Sequence, residues 1–337
     1  MTHLEGQHIL SVNQFNPDTI NTIFSVAERM QPYALRHRRT NVLEGAILGN
    51  LFFEPSTRTR VSFASAFNLL GGSVSETVGI GSSSLAKGES LYDTAMMMAT
   101  YSDVIAMRHP QPFSVEEFSK GSTVPVINGG DGANEHPTQA LLDLFTIKKE
   151  LESKARNIDG MHIALLGDLK HGRTVHSLSK LLAQYENIHF SLLAPNELQM
   201  PQYVVDEITN AGHQVSIHDS IEGHTAGADI LYQTRIQEER FPSQDEANKY
   251  RGKFKLNKAI YQGHCKDSAV IMHPLPRDSR SDANELDNDL NDHPNLAIFR
   301  QADNGLLIRM ALFALTLGVD SQLEQYELPV NWYSRKG

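Results

Sequence analysis

The feature that most constrains this chain is an alternation that runs almost from end to end. Short apolar stretches are followed by stretches with helical spacing, and the cycle repeats. Ala46 to Phe53, Ser73 to Val78, Val104 to Met107 and Pro125 to Ile127 read as strands in the first half. His162 to Leu166, His189 to Leu193, Val215 to His218, Asp229 to Tyr232 and Ala269 to Met272 continue the series. Strands that are apolar on both faces and joined by helices belong in parallel sheets covered on both sides. The expected fold class is therefore α/β, with two doubly wound domains. The boundary falls inside or just after the helix that starts at Thr138, and a last helix, Gly305 to Leu317, closes the fold. In such sheets ligands bind beyond the carboxyl ends of the strands, so those loops are where chemistry belongs.

The loop after the first of these strands reads FFEPSTRTR, Phe52 to Arg60. Pro55 stops the strand, Ser56 is placed to cap the next helix, and the first turn carries two threonines and two arginines. A helix N-terminus offers unpaired N–H groups and the positive end of a dipole, and hydroxyls and guanidiniums add directed donors. That combination describes a phosphate cradle, although an ordinary capped helix with solvated arginines fits these residues alone.

The other strand ends decide between the two readings. One gives Arg108, in MRHP; another leads through the glycine-rich NGGDGANEHPTQ to His136 and Gln139 at a helix start. GDLKHGRT places Arg173 at a helix N-terminus, Arg235 and Gln237 follow the strand at Ile230, and HPLPR, His273 to Arg277, follows the strand at Val270. Each of these strand ends presents arginine, histidine or glutamine, a convergence that solvated loops do not account for.

Charge and cysteine content narrow the compartment and the partners. A net charge of −10 argues against general nucleic-acid binding but leaves room for a small anion held in a locally positive cleft. A single cysteine, Cys265, excludes an internal disulfide and fits a reducing compartment. The start, MTHLEGQHIL, lacks the pattern of a secretory leader, and no membrane-length apolar run follows, so a cytoplasmic protein is expected. His171, His176, His264, Cys265 and His273 match no zinc spacing, so they are read as loop or core residues. The Met96-Met97-Met98 run reads as core packing.

From about His8 to Gly318 the sequence resembles the catalytic chains of the aspartate carbamoyltransferase family. FFEPSTRTR, SSSLAKGES, MRHPQP, GDGANEHPTQALLDLFTI, GDLKHGRTVHSL, LYQTRIQEER and HPLPR carry the match, in the family's order. The ornithine enzymes share the STRTR core and the His-Pro-x-Gln loop, but they carry Asp-x-x-x-Ser-Met-Gly and His-Cys-Leu-Pro segments that are absent here. A dinucleotide-dependent oxidoreductase fits poorly, because GDLKHG lacks the G-x-G-x-x-G fingerprint. A non-catalytic phosphate-binding module is the remaining alternative.

The resemblance implies residues 1–150 as a carbamoyl-phosphate-binding domain, with a helix at about 303–318 packing back on it, and 151–302 as an aspartate-binding domain. It implies that Ser56, Thr57, Arg58 and Thr59 bind the phosphate, and that Thr59, Arg108 and His136 meet the carbamoyl oxygen. Gln139 would lie near the amide nitrogen. Arg173, Arg235 and Gln237 would hold the carboxylates of aspartate, and the backbone carbonyls of Pro274 and Leu275 would steer the amines, next to a cis Leu275-Pro276 bond. Lys87, with Ser83 or Ser84, would reach the active site of a neighbouring chain in a homotrimer. Glu54 and Arg240 match positions of salt bridges that accompany domain closure. The implied reaction carbamoylates the α-amine of aspartate, the committed step of pyrimidine synthesis. It needs no cofactor and no metal, and separate regulatory chains in a larger holoenzyme are left open. Leu317 to Gly337 lies beyond the firm resemblance.

Overall fold

A computed structural model describes residues 4–332, so the first residues of the MTHLEGQHIL segment and the last of the C-terminal tail lie outside the described residues. The chain divides into two compact units, Met1–Leu141 with Asp303–Gly337, and Leu142–Ala302.

After a helix Pro17–Arg29 and the two-residue strand β1 (Arg39–Thr40), the first unit lays down four parallel strands. These are β2 (Ile47–Phe52), β3 (Ser73–Val78), β4 (Val104–His109) and β5 (Val126–Asp131), in the order β3-β2-β4-β5. Asn16 caps the Pro17 helix by accepting the Thr19 N–H at 2.8 Å, with proline at the first helical position. Beside β5, Ile9 bridges to Ile127 and extends that edge by one backbone segment. At the opposite edge β3 stays largely exposed.

Two strands run further than their apolar residues suggest. β4 includes Arg108 and His109, and β5 takes in Asn128 to Asp131, with a register shift between Met107 and His109. Glycine disfavours strands in general, which hides Gly129 and Gly130 from pattern reading. The Leu91–Tyr101 helix also corrects an expectation. Ala95, Leu91 and Met98 pack on the core, whereas Met96 and Met97 lie on the other face, each 49% exposed. At about 100° per residue, one face cannot take three consecutive methionines.

The second unit is continuous. Its strands β6 (His162–Leu166), β7 (His189–Leu193), β8 (Gln214–His218), β9 (Ile230–Gln233) and β10 (Val270–Met272) form a parallel sheet in the order β10-β9-β6-β7-β8. Its core joins Ala164, Leu166, Leu231 and Ile271 to Tyr261, Leu286 and Ile298. Fully burying a side chain such as Leu or Ile contributes about 1.5–3 kcal/mol.

The Ile298–Thr316 helix begins in the second unit and continues into the first, where Phe313 meets Phe63 and Phe67 edge-on, with centroids 5.9 and 5.0 Å apart. Beyond it, β11 (Glu327–Leu328) pairs antiparallel with β1, and Arg29 grips Glu324 at 2.7 Å. The tail thus docks by backbone pairing and exposed charge. No helix among the described residues is long and apolar enough to cross a membrane.

Candidate functional site

Each unit gathers its share of the candidate residues at strand ends. In the first unit the turn after β2 feeds the Thr57–Leu69 helix. Ser56 occupies the N-cap position but makes no side-chain cap, contrary to the expectation. Its ψ of 90° falls well short of the 170° and 154° at the capped residues Asn16 and Ser90. The two arginines also part company. Arg60 is bound to Glu76 at 2.6 Å, and Glu76 also accepts from Asn50, so Arg60 is a structural cation. Arg58 and Thr57 are exposed at the helix start, with Thr59 half-buried.

Arg108, the penultimate residue of β4, forms an ion pair with Glu54 at 2.8 Å and is mostly buried. Glu54 is thus paired inside its own unit. His136, 3% exposed, sits immediately before the Pro137–Glu152 helix, and Gln139 follows in its first turn, also buried. What places His136 is a residue that the sequence did not single out. Asp131, at the end of β5 and 1% exposed, accepts from the N–H groups of Phe113 (2.9 Å) and Glu135 (3.2 Å) and from the amides of Asn128 and Asn134, both at 3.0 Å. Glu135 in turn accepts from Ser11 Oγ at 2.9 Å and Val12 N–H at 2.8 Å. The segment between β5 and the helix is therefore pinned from both sides of His136's nearest neighbour.

The glycine- and serine-rich stretch from Gly79 to Gly88, which reads as a mobile loop, contains two 3-10 turns, Ile80–Ser82 and Ser84–Lys87. Gly88 closes the second in the left-handed region. Lys87 and Ser84 are exposed; Ser83 donates to the Ile80 carbonyl at 2.8 Å and Ser84 to Glu89.

In the second unit β6 and β9 deliver Arg173, Arg235 and Gln237. Gly167, with φ +107°, lets the end of β6 pass so close to β9 that a Cβ there would lie 2.3 Å from the Thr234 carbonyl oxygen. Asp168 follows, fully buried, and joins two loops. It accepts from the N–H of His171 at 3.0 Å and from its ring Nδ1 at 3.1 Å, and from the N–H of Gln237 at 3.1 Å. Gln237 returns a bond from Nε2 to the His171 carbonyl at 2.8 Å. Arg173, two residues on and 9% exposed, opens the Arg173–Leu182 helix. Arg235 is half-buried and pairs with Glu239. Burial works against its charge, but the hydrogen bond and charge of Glu239 outweigh it and hold its pKa above the ordinary value. After β10, Leu275-Pro276 is cis, as the family resemblance implies, and Leu275 has φ +57°.

Asp131 and Asp168 are the residues that sequence reasoning missed. Each follows glycine at a strand end, where aspartate reads as a turn former. A buried acceptor that serves several N–H groups has no pattern of its own in sequence.

Family models match both halves of the chain. The family description "Aspartate/ornithine carbamoyltransferase, carbamoyl-P binding domain" matches residues 7–149, and its "Asp/Orn binding domain" matches residues 159–316. The chain is 65% identical to the aspartate carbamoyltransferase catalytic subunit of Cellvibrio japonicus, across 98% of this chain and 97% of that protein. It is 44% identical to the Thermococcus onnurineus catalytic subunit, across 94% and 98%. Among solved structures it resembles the Trypanosoma cruzi aspartate transcarbamoylase in complex with carbamoyl phosphate and aspartate. There the TM-score is 0.86 and the identity 40%, over 94% of this chain and 98% of that one. The chain belongs to the aspartate/ornithine carbamoyltransferase family, among its aspartate carbamoyltransferase catalytic subunits.

Proposed function

We propose that this chain transfers the carbamoyl group of carbamoyl phosphate to the α-amine of L-aspartate, giving N-carbamoyl-L-aspartate and phosphate, and so commits carbon and nitrogen to pyrimidine synthesis in the cytoplasm. The observation that carries the reading is the buried Asp168, which ties the loop bearing Arg173 to the segment bearing Arg235 and Gln237. Two arginines and an amide, brought to neighbouring strand ends, suit a ligand with two carboxylates.

The residues then take roles according to where charge develops. Ser56, Thr57, Arg58 and Thr59 hold the phosphate at the uncapped helix start. The uncharged amine attacks the carbamoyl carbon, a C–N bond forms, negative charge grows on the carbonyl oxygen, and the bond to the phosphate oxygen breaks as a proton passes from nitrogen to the leaving phosphate. Thr59, Arg108 and His136 stabilise that oxygen; one such donor is typically worth roughly 3–4 kcal/mol. Arg108 would exchange part of its Glu54 pairing for this contact. Gln139 receives the amide nitrogen, and the carbonyls of Pro274 and Leu275 steer the amines. Holding two anions together supplies the rest.

Lys87 and a loop serine complete the site of a neighbouring subunit in a homotrimer. The 3-10 turn favours Ser84 over Ser83 for this role, because residues three apart in such a turn share a face, and Ser84 and Lys87 are both exposed. The next helix supports a subunit contact, since Tyr92, Met96, Met97 and Tyr101 expose between 48% and 58% of their surface.

The test is a phosphate-release assay with aspartate and ornithine in parallel at equal carbamoyl phosphate. Turnover with aspartate alone is expected; turnover with ornithine, or binding without turnover, would overturn the assignment. Mixing dissociated Arg58→Ala and Lys87→Ala proteins should restore activity through hybrid trimers, and no recovery after confirmed subunit exchange would sink the shared site.

A further inference from the structure

The HPLPR loop leaves β10 and is held by side chains that the proposed chemistry does not use. Leu275 occupies the left-handed region, where a non-glycine residue is uncommon and strained. Its N–H donates to Nδ1 of His273, two residues earlier, at 2.8 Å, closing a side-chain turn of the kind asparagine makes. An accepting Nδ1 carries no proton, so the ring proton is on Nε2. Nε2 lies 2.7 Å from Glu285 Oε1 and donates to it. Both residues are buried, and burial pushes the His273 pKa down even though Glu285 pulls it up.

Glu285 also receives the N–H of Asp278, at 3.3 Å to each oxygen, and so grips the loop at both ends. The His273 N–H donates to Gln301 Oε1 at 2.9 Å, which turns the Gln301 amide nitrogen toward Asp143 at 2.7 Å. The other Asp143 oxygen takes the Tyr232 hydroxyl at 2.6 Å. Tyr232 lies on β9, three residues before Arg235. A buried chain of hydrogen bonds thus joins the HPLPR loop to the strand that presents Arg235, and every link has one workable donor direction.

We propose that His273, fixed in its Nε2–H tautomer by Glu285, is the positioning residue that sets the Pro274 and Leu275 carbonyls for the amine of the substrate. This rests on the reading that those carbonyls meet aspartate. His273 touches neither substrate; it acts by holding the turn in which both carbonyls lie.

The experiment compares His273→Leu, His273→Asn and Glu285→Ala with the wild-type protein, using full kinetics in both substrates and thermal melts. Leucine removes both bonds, whereas asparagine keeps an oxygen two residues before the Leu275 N–H. His273→Leu is expected to raise the KM for aspartate about ten-fold or more and to leave the KM for carbamoyl phosphate within about two-fold. His273→Asn should recover most of that loss. Glu285→Ala, which frees the ring to rotate, should shift the same constant in the same direction and keeps the test intact if His273→Leu does not fold. An unchanged aspartate KM in a folded variant, an equal rise for both substrates, or asparagine no better than leucine at equal melting temperature would overturn the proposal. Wild-type protein inactive toward aspartate would instead overturn the assigned function.

Discussion

Under the proposed function the two units share one task, holding an anion at strand ends, and their structures equip them for it in different ways. The first unit relies on backbone: a helix start with no side-chain cap after β2, and at the end of β5 a turn whose N–H groups Asp131 collects. The second relies on side chains that cross between loops. Asp168 joins the His171 and Gln237 segments, and Glu238 binds Arg251 at 2.7 Å and Arg280 at 2.8 Å. A backbone cradle suits a compact phosphate with oxygens on every side. A laced set of loops suits a longer ligand whose two carboxylates must be told apart from other groups. The difference teaches that the first half-site is set by local geometry and the second by a network that single substitutions can loosen.

The largest expected effect comes from attacking the cradle. Arg58→Ala should lower kcat/KM by about 10²- to 10³-fold with the fold intact, read from steady-state rates and circular dichroism. A variant that still binds phosphate normally would erase the contrast between the units. Next in size is Asp168→Ala, which strands the N–H groups of His171 and Gln237. The expected cost of about 1.5–3 kcal/mol should appear as a raised KM for aspartate, with carbamoyl phosphate affinity kept. If calorimetry shows both ligands weakened equally, the lacing is not confined to the second unit's ligand.

A third, smaller effect concerns acid. The Arg251 hydrogen bond, followed by that of Arg280, outweighs desolvation and holds Glu238 down to about 2. A carboxylate depressed in the folded state contributes stability that is complete above its ordinary value and is lost as pH falls through the depressed one. Glu238→Gln should therefore melt lower than wild type at neutral pH, and the gap should close between about pH 4.5 and pH 2. A constant gap across that window would show that the ion pairs contribute nothing. The smallest effect belongs to the tail. Arg29→Ala breaks an exposed pair with Glu324 and should cost less than about 1 kcal/mol in chemical denaturation.

The sequence made the strands, their parallel arrangement and most of the named arginines legible, because apolar runs and strand-end cations leave a direct trace. Arg60 shows the limit. It stands two residues from Arg58 in one motif, and only the position of Glu76 on the neighbouring strand separates a structural cation from a ligand candidate. Ser56 shows another, since a residue type suited to capping does not specify the ψ that capping requires. Asp131, Asp168 and His273 act through partners distant in sequence or through a tautomer, neither of which a linear pattern records.

The return of the last helix has a consequence for how the protein is made. Phe313 completes the aromatic cluster with Phe63 and Phe67, so the first unit to be synthesised lacks part of its core until nearly the whole chain has emerged. The second unit is continuous from Leu142 to Ala302 and can close while synthesis is under way. The second unit can then close before the first, although it is translated later. The nascent first unit, with an exposed apolar face waiting for its final helix, is the stage at which a chaperone would have most to shield.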